Sequence, residues 1–311
     1  SDRQNDISVA DRILSQSYRF FGILMSWRVV VVSGICKLEY KLGYLVCRGE
    51  ETRRVYISEI STLVIESTAV SLTSALLCEL IKSKVNIVFC DEKHNPHSQL
   101  NALYGRHDCS GILRKQLNWR EETKNAVWAE IVRLKIAGQY SFLRDLDSEQ
   151  AVLLETYLGD IRGADLTNRE GHAAKVYFNV LFGLDFRRGD DTFINSALNY
   201  GYAIILSAFN REIVACGYNT QLGLSHKSEF NSYNLACDLM EPFRVLVDRY
   251  VFCSAAEMTP EYKHSLCDIL NRQVRISGTN STVSSAIGIY CKSVFTALET
   301  GDTSVIKCYE L

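Results

Sequence analysis

The sequence predicts an α+β fold in which a small, mostly β N-terminal domain precedes a larger all-α domain. Two observations support this. From Trp27 to about Leu103, short apolar runs alternate with turn residues, which is typical of strands. From Ile112 onward, apolar residues recur at helical spacing. The chain has 311 residues, enough for two domains, which we place at residues 25–103 and 104–311.

The elements of the first domain follow from its turn residues and β-branched residues. Residues 38–40 and 44–47 flank Gly43 and predict a hairpin. Residues 85–91 are apolar and rich in β-branched side chains, as in a strand buried on both faces. The other predicted elements are strands at residues 27–32, 54–57 and 63–66 and a helix at residues 72–82.

Four long segments of the second domain predict helices. Pro242 is expected to interrupt the last of them, because proline removes a backbone donor and clashes with the preceding turn. The stretch after Thr300 is polar, and we expect it to be loose. The helical segments are residues 126–143, 172–184, 194–216 and 230–252.

Residues 1–24 do not fit either domain. They carry charges throughout and lack the order of a signal peptide, so we interpret them as an upstream or vector-derived extension before a start at Met25. No apolar stretch reaches the ~20 residues of a membrane span. The 11 cysteines are scattered and form no C-x-x-C pair, which favours reduced, mostly buried thiols in a cytoplasmic protein.

Composition and missing motifs exclude several classes of protein. With 47% hydrophobic and 23% charged residues, the chain is an ordinary globular protein and is not disordered. A net charge of −2 counts mildly against nucleic-acid binding through an overall basic surface. There is no G-x-x-x-x-G-K-[ST] loop for nucleotide hydrolysis and no G-x-S-x-G elbow for a serine hydrolase.

Residues 168–172 admit two interpretations. Thr167 is followed three residues later by Glu170, just before an apolar run, and this is the pattern of a capping box in which Glu170 only satisfies a backbone donor. Alternatively, Glu170 is a metal ligand or an acid–base group. His172 lies about 200° further around a helix and should point away from Glu170. The residues alone leave this choice open.

A second group of candidates combines carboxylates with one imidazole. Asp238 and Glu241 are three apart, so a helix would place both on one face. They form either a surface acidic pair whose charge is neutralised by Arg244 or Lys227, or part of a set of metal ligands. His226 alone is more often structural, but one imidazole with several carboxylates suits Mg²⁺ or Mn²⁺.

Several segments together resemble one known family. The most specific is the Asn-x-x-Leu-Asn-Tyr-Gly-Tyr pattern that begins at Asn195. The sequence is similar to the CRISPR-associated protein one family, the spacer-acquisition integrases, and most closely to the type II form. The matching segments are NREGHAAKVYF at 168–178, INSALNYGYAIIL at 194–206, GLSH at 223–226 and DLMEPFR at 238–244, with YGRHD at 104–108 and NIVFCD at 86–91.

The resemblance implies a site and a reaction. Glu170, His226 and Glu241 match the family's metal-binding residues and would hold Mg²⁺ or Mn²⁺, with Asp238 as a possible further ligand. In the implied reaction, the 3′-hydroxyl of a captured foreign DNA fragment attacks the leader–repeat junction of the CRISPR array. Alternatives are a non-catalytic DNA-binding scaffold, or a general metal nuclease acting on branched DNA.

The resemblance also implies partners. The β domain would mediate a homodimer, and two dimers would bracket a dimer of CRISPR-associated protein two. DNA phosphates are expected to contact basic residues, although each of these also fits an ordinary solvated helix face. The basic candidates are Arg114, Lys115, Arg120 and Lys124 in one cluster, and Arg187 and Arg188 in another.

Overall fold

The computed structural model describes residues 28–103, 105–254 and 257–310. The interpretation of residues 1–24 as an extension therefore lies outside the described residues. In the N-terminal region, two four-stranded sheets with the orders β1-β5-β7-β8 and β4-β3-β2-β6 share an apolar core. Their elements are β1 (Arg28–Val32), β2 (Lys37–Lys41), β3 (Tyr44–Arg48), β4 (Thr52–Tyr56), β5 (Ile60–Ile65), β6 (Ser71–Leu72), α1 (Ser74–Lys82), β7 (Asn86–Cys90) and β8 (Pro96–Leu100).

The predicted hairpin is confirmed. Strands β2 and β3 pair antiparallel, with Lys41 opposite Tyr44. The two residues between them, Leu42 and Gly43, have φ values of 49° and 85°. Two successive positive φ angles are typical of the two-residue turns that match the twist of a hairpin. The glycine signal in the sequence therefore marked the turn correctly.

Strand β7 is paired on both sides, as its apolar composition predicts. It runs parallel to β5 and antiparallel to β8. Strand β8 lies beyond the predicted strands, in a segment with few β-branched residues. The domain boundary at residues 103/104 stays a prediction.

The second region is mostly helical, so the predicted α+β class is confirmed. Helix α3 lies at its centre and packs against α4, α5, α8 and α10. The helices are α2 (Cys109–Leu117), α3 (Glu121–Asp145), α4 (Ala151–Leu158), α5 (Arg169–Phe182), α6 (Phe193–Ala215), α7 (Asn234–Leu239), α8 (Arg244–Ser254), α9 (Pro260–Cys267) and α10 (Val283–Thr300).

The two regions are joined by a buried polar network. Asn86 on β7 donates a hydrogen bond to the Ser207 hydroxyl on α6 at 2.9 Å. Gln99 on β8 donates to the Ser207 carbonyl oxygen at 2.8 Å and accepts from Asn210 at 2.6 Å. Because these amides satisfy one another, the N-terminal sheet has a defined position against α6.

The C-terminal part departs from the expectation of an entirely helical second region with a loose end. Strands β9 (Gln273–Ile276), β10 (Thr279–Thr282) and β11 (Tyr309–Glu310) form a small sheet. The Tyr309 hydroxyl donates to the Pro242 carbonyl oxygen at 2.8 Å. The expectation that the chain is loose after Thr300 is wrong, because backbone pairing and one buried tyrosine fix it.

Pro242 interrupts the helical chain as predicted. Helix α7 ends at Leu239, a 3₁₀ turn covers Glu241–Phe243, and α8 begins at Arg244. None of the helices within the described ranges is long and apolar enough to cross a membrane. Three cysteines are buried, seven are partly buried and Cys78 is exposed.

Candidate metal centre and its surroundings

Helix α3 places a lysine where its apolar face should continue. Ile131, Val132 and Ile136 are fully buried, and Lys135 lies among them with its side chain only 11% exposed. A charged side chain on a buried face needs a partner of opposite charge. We did not predict this residue from the sequence. The sequence does contain a signal for it, because Lys135 follows Ile131 by four positions on an otherwise apolar helix face.

Glu170 provides one partner of Lys135. The Lys135 ammonium lies 2.7 Å from Glu170 Oε1. The capping-box interpretation of Glu170 is wrong. The carboxylate of Asp165 accepts from the backbone amides of Arg169 and Glu170, while the Thr167 hydroxyl donates to a carbonyl oxygen instead. Because Asp165 caps α5, the Glu170 side chain is free to reach α3.

Glu241 provides the second partner, from the 3₁₀ turn at Pro242. Its Oε2 lies 2.5 Å from the Lys135 ammonium, and its Oε1 lies 2.9 Å from Arg244 Nε. The Glu241 side chain is only 4% exposed. The interpretation of Asp238 and Glu241 as a surface acidic pair is therefore wrong, since both are buried.

Asp238 organises the loop that carries His226. It is fully buried and accepts hydrogen bonds from the backbone amides of Leu224, Ser225 and His226 at 2.6 to 3.1 Å. Its Oδ1 also lies 2.6 Å from His226 Nδ1. A carboxylate with four such partners acts as a support for the loop. Its role as a metal ligand stays a prediction.

His226 approaches from the opposite end of the same helix face. Its ring meets Trp128 of α3 edge to face, with centroids 6.0 Å apart. Trp128 and Lys135 are seven residues apart and so lie on one face about two turns apart. The bond from Nδ1 to Asp238 leaves Nε2 as the free ring nitrogen, on a side chain that is 43% exposed.

The charges at this site shift one another's pKa. Burial disfavours the ammonium form of Lys135, but Glu241 and Glu170 outweigh burial, so the pKa of Lys135 lies above its usual value. Burial opposes ionisation of Glu241, yet Lys135 and Arg244 bring its pKa below the usual value. The hydrogen bond to Asp238 raises the pKa of His226 against burial, and Glu241 and Glu170 add to the rise.

The donor types at this site, two carboxylates and one imidazole, are those that a hard divalent cation accepts. One oxygen of Glu170 and one of Glu241 both contact the ammonium of Lys135, so they already share one cation. The free ring nitrogen of His226 is a ligand that Mn²⁺ and Mg²⁺ sites accept beside carboxylates. Within the described ranges, no group of three or more His, Cys, Asp or Glu side chains is close enough to hold a metal ion. The metal-ligand roles of Glu170, His226 and Glu241 therefore stay predictions.

A second polar layer lies behind this site. The Tyr202 hydroxyl donates to the buried carboxylate of Asp248. The Arg244 guanidinium lies over the Tyr202 ring at 4.7 Å. Burial raises the pKa of Asp248 to about 6. Gly201 allows this packing, because a Cβ there would lie 2.5 Å from Val247 of α8.

The basic residues predicted to contact DNA have different surroundings. Arg114, Lys115 and Arg120 line an open cavity of about 610 Å³ beside Trp119. Lys124 lines a neighbouring cavity of about 320 Å³ that also contains His226, Lys227 and Trp119.

The two arginines of the second predicted basic cluster have different surroundings. Arg187 is exposed. Arg188 is half-buried and has intramolecular partners, because it donates to Asn195 and Asn199 and lies over the Tyr202 ring. Its intramolecular partners favour a structural role over DNA contact.

His172 is placed as expected. It lies on the exposed side of α5, 3.4 Å from an Arg169 nitrogen and beside Tyr157. It does not contact the carboxylates at Lys135.

Comparison with known proteins identifies the family. Residues 29–264 match the model of the CRISPR associated protein Cas1 family. The chain belongs to the Cas1 family. It is 34% identical over 272 residues to the CRISPR-associated endonuclease Cas1 of Neisseria meningitidis serogroup C, covering 85% of this chain and 89% of that protein. It is 26% identical to a Cas1 endonuclease of Francisella tularensis subsp. novicida, over 78% of this chain and 82% of the relative.

Solved structures share the fold of this Cas1 family member. A Cas1 protein from Thermotoga maritima aligns with a TM-score of 0.71 at 16% identity, covering 88% of this chain and 97% of that one. A casposase bound to integration product aligns with a TM-score of 0.72 at 19% identity, covering 88% and 91%. A Cas6-RT-Cas1–Cas2 complex aligns with a TM-score of 0.69 at 16% identity over 93% of this chain, which spans 36% of the longer chain.

Proposed function

We propose that this protein is a metal-dependent DNA integrase and endonuclease of CRISPR adaptation. It joins the 3′-hydroxyl ends of captured foreign DNA to the leader–repeat junction of the CRISPR array. One observation carries the proposal. In this chain of the Cas1 family, the carboxylates of Glu170 and Glu241 both contact the ammonium of Lys135 on helix α3. The His226 ring contacts Trp128 on the same face of that helix. The Neisseria meningitidis relative is named an endonuclease, and one fold neighbour is a casposase bound to integration product.

Three side chains would hold the metal. Glu170 and Glu241 supply carboxylate oxygens, and His226 supplies Nε2 because Asp238 engages its Nδ1. Mg²⁺ or Mn²⁺ bound there would stabilise charge that develops on a phosphodiester and help to orient the reacting oxygens. Lys135 and Arg244 lower the pKa of Glu241, and Arg244 Nε also lies 2.9 Å from Glu241 Oε1.

The proposed reaction exchanges one phosphodiester for another. The 3′-oxygen of the captured fragment forms a bond to the junction phosphorus, the bond from that phosphorus to the 3′-oxygen of the array breaks, and the proton of the attacking hydroxyl ends on the leaving oxygen or in solvent. Since the number of phosphodiesters is unchanged, the step requires no ATP, which agrees with a sequence that lacks a P-loop. With water as the nucleophile, the same groups would act as an endonuclease.

The substrate would bind along the cavities beside Trp119. Arg114, Lys115 and Arg120 in one cavity and Lys124 and Lys227 in the other supply positive charge near His226. Phosphate contacts of this kind position a duplex without reading its sequence. They would also make binding sensitive to salt.

The proposed assembly is a homodimer through residues 25–103, with two dimers bridged by a dimer of Cas2. The edge strand β4, mostly exposed, offers free backbone groups for pairing with a second copy. One fold neighbour is a complex that contains Cas2, and another is a Cas1 bound to DNA.

A strand-transfer assay tests this function. Purified protein, Cas2, Mn²⁺ or Mg²⁺ and a duplex with 3′-hydroxyl ends are mixed with a plasmid that carries a leader and a repeat. We expect joined products, and a loss of about 10³-fold in Glu170→Gln, His226→Ala and Glu241→Gln, since metal sites supply several kcal/mol of stabilisation. The matched controls Glu155→Gln and His172→Ala change exposed residues elsewhere and should keep full activity.

Other outcomes separate the alternatives. Full activity in Glu170→Gln or His226→Ala would overturn the metal assignment. Equal joining into a plasmid without the repeat would favour a general nuclease on branched DNA. DNA binding without joining or cleavage under any metal condition would favour a scaffold. Loss of joining when Cas2 is omitted would support the proposed assembly.

A further inference from the structure

Lys135 occupies the point at which the two proposed metal-binding carboxylates meet. Its ammonium is 2.7 Å from Glu170 Oε1 and 2.5 Å from Glu241 Oε2. The proposed function assigns these oxygens to a divalent cation but gives Lys135 no role. A metal ion at the same oxygens would meet a resident positive charge.

Lys135 differs in this respect from Arg244, the other cation at the site. Arg244 contacts Oε1 of Glu241, whereas Lys135 contacts Oε2 and also the only Glu170 oxygen seen in an ion pair within the described residues. Arg244 can therefore keep its partner when a metal binds. Lys135 has to give up one contact or both.

The charges at the site also favour competition between Lys135 and a metal ion for the two carboxylates. The two carboxylates, Glu170 and Glu241, are matched by two cations, Lys135 and Arg244. Taken by themselves, these four groups are therefore neutral before a metal arrives, and a divalent cation that joined them would add positive charge in a buried place. Such charge is costly unless an anion accompanies it. A DNA phosphodiester carries a negative charge and oxygen ligands of the kind that Mg²⁺ and Mn²⁺ prefer.

We propose that Lys135 is a positioning residue that holds Glu170 and Glu241 together without metal and competes with the metal for them, so that tight metal binding requires a bound DNA phosphate. This inference rests on the proposed function, which supplies the metal and the DNA. When phosphate and metal bind together, the ammonium moves from the carboxylates toward the added anion. The site is then assembled only on its substrate.

Direct titration with Mn²⁺, followed by the electron paramagnetic resonance signal of the free ion, tests this without an activity readout. Wild-type protein is titrated alone and with a short duplex that has 3′-hydroxyl ends, and a titration of the duplex alone is subtracted. We expect DNA to tighten Mn²⁺ binding by about tenfold or more in the wild type. We expect Lys135→Met to bind Mn²⁺ about tenfold tighter than the wild type without DNA, with little further gain when DNA is added.

A second buried lysine provides the matched control. Lys263 is as buried as Lys135, but its ammonium donates to the carbonyl oxygens of Lys93 and His94. Lys263→Met should therefore leave Mn²⁺ binding as in the wild type. Lys135→Gln, which keeps a donor without the charge, provides a second variant if Lys135→Met fails to fold by circular dichroism.

The outcomes separate this inference from the proposed function. Equal Mn²⁺ affinity in the wild type with and without DNA would overturn the role of Lys135, as would Lys135 variants that bind Mn²⁺ no tighter than the wild type. Those results would leave the metal site intact. If neither the wild type nor any variant binds Mn²⁺ at all, with or without DNA, the metal assignment itself fails.

Discussion

The two ends of the candidate site are built on different principles. At the carboxylate end, Lys135, Glu170, Glu241 and Arg244 neutralise one another in a largely buried cluster. At the histidine end, three backbone amides and the imidazole of His226 converge on Asp238, and the ring itself stays 43% exposed. One end therefore depends on side-chain charges, and the other on a loop held by its backbone.

This difference separates stability from function. Removing a charge from the carboxylate end leaves a buried partner unpaired, which is costly to the fold. Removing the imidazole from the histidine end leaves the loop and Asp238 in place. Substitutions at the two ends should therefore have similar effects on the proposed reaction and different effects on unfolding.

The largest difference in stability should separate the two glutamates. Glu241 pairs with both Lys135 and Arg244, and its side chain is 4% exposed, whereas Glu170 pairs with Lys135 alone and is 27% exposed. We expect Glu241→Ala to lower the free energy of unfolding by about 3–5 kcal/mol and Glu170→Ala by about 1 kcal/mol. Urea unfolding at neutral pH measures both. Equal losses in the two variants would show that Arg244 does not need Glu241 to compensate its charge.

Asp238→Ala should have the next largest effect. It leaves the amides of Leu224, Ser225 and His226 without their acceptor, at a cost of about 3 kcal/mol. The control Asp268→Ala removes an exposed carboxylate whose one side-chain donor within the described residues is Asn271, and it should cost less than about 0.5 kcal/mol. A similar small loss in both variants would mean that the loop does not depend on Asp238.

The buried layer behind the carboxylate end should show itself in the pH dependence of stability. The pKa of Asp248 is raised from 3.8 to about 6 in the folded protein. The folded state therefore holds this proton more tightly than the unfolded state. This contribution to stability falls as pH rises from about 4 to about 6 and is constant above that range.

Asp248→Asn removes this contribution and keeps an acceptor for the Tyr202 hydroxyl. The stability of the variant relative to the wild type should rise by up to about 3 kcal/mol between pH 4 and pH 7. Other carboxylates cancel in the difference, so paired unfolding curves at several pH values measure it. A difference that does not change with pH would show that Asp248 ionises normally.

The smallest effect on stability is expected at His226. Because the ring is partly exposed and the loop is held by backbone amides, His226→Ala should change the free energy of unfolding by less than about 1 kcal/mol. The same variant should lower strand transfer by about 10³-fold. His172→Ala is the control for both measurements. A large loss of stability in His226→Ala would make the imidazole a structural group and weaken its assignment as a ligand.

Much of the fold could be predicted from local patterns. The hairpin at Gly43, the interruption at Pro242 and the doubly paired strand β7 each follow from a residue type whose backbone preference is strong. The small sheet that includes β11 could not be predicted in the same way. Strands β9 and β10 form a local hairpin, but β11 has only two residues and pairs with β9, which is distant in sequence.

The site was predictable in composition but not in arrangement. Family resemblance selected Glu170, His226 and Glu241, and the structure brings the two carboxylates to one cation. Lys135 is absent from the predicted site because the helical spacing of its neighbours predicts only a buried apolar face. The predicted capping box at Thr167 is wrong because Asp165, which has a positive φ and precedes Thr167, accepts the backbone hydrogen bond at the start of the helix.

Anomalous diffraction from crystals soaked or grown with Mn²⁺ and a short 3′-hydroxyl duplex tests the central claim most directly. The account predicts one strong manganese peak between Glu170 and Glu241, within coordination distance of His226 Nε2 and a DNA phosphate oxygen, with Lys135 displaced toward the phosphate. Manganese bound elsewhere, with the Lys135 ammonium still between the two carboxylates, would contradict it.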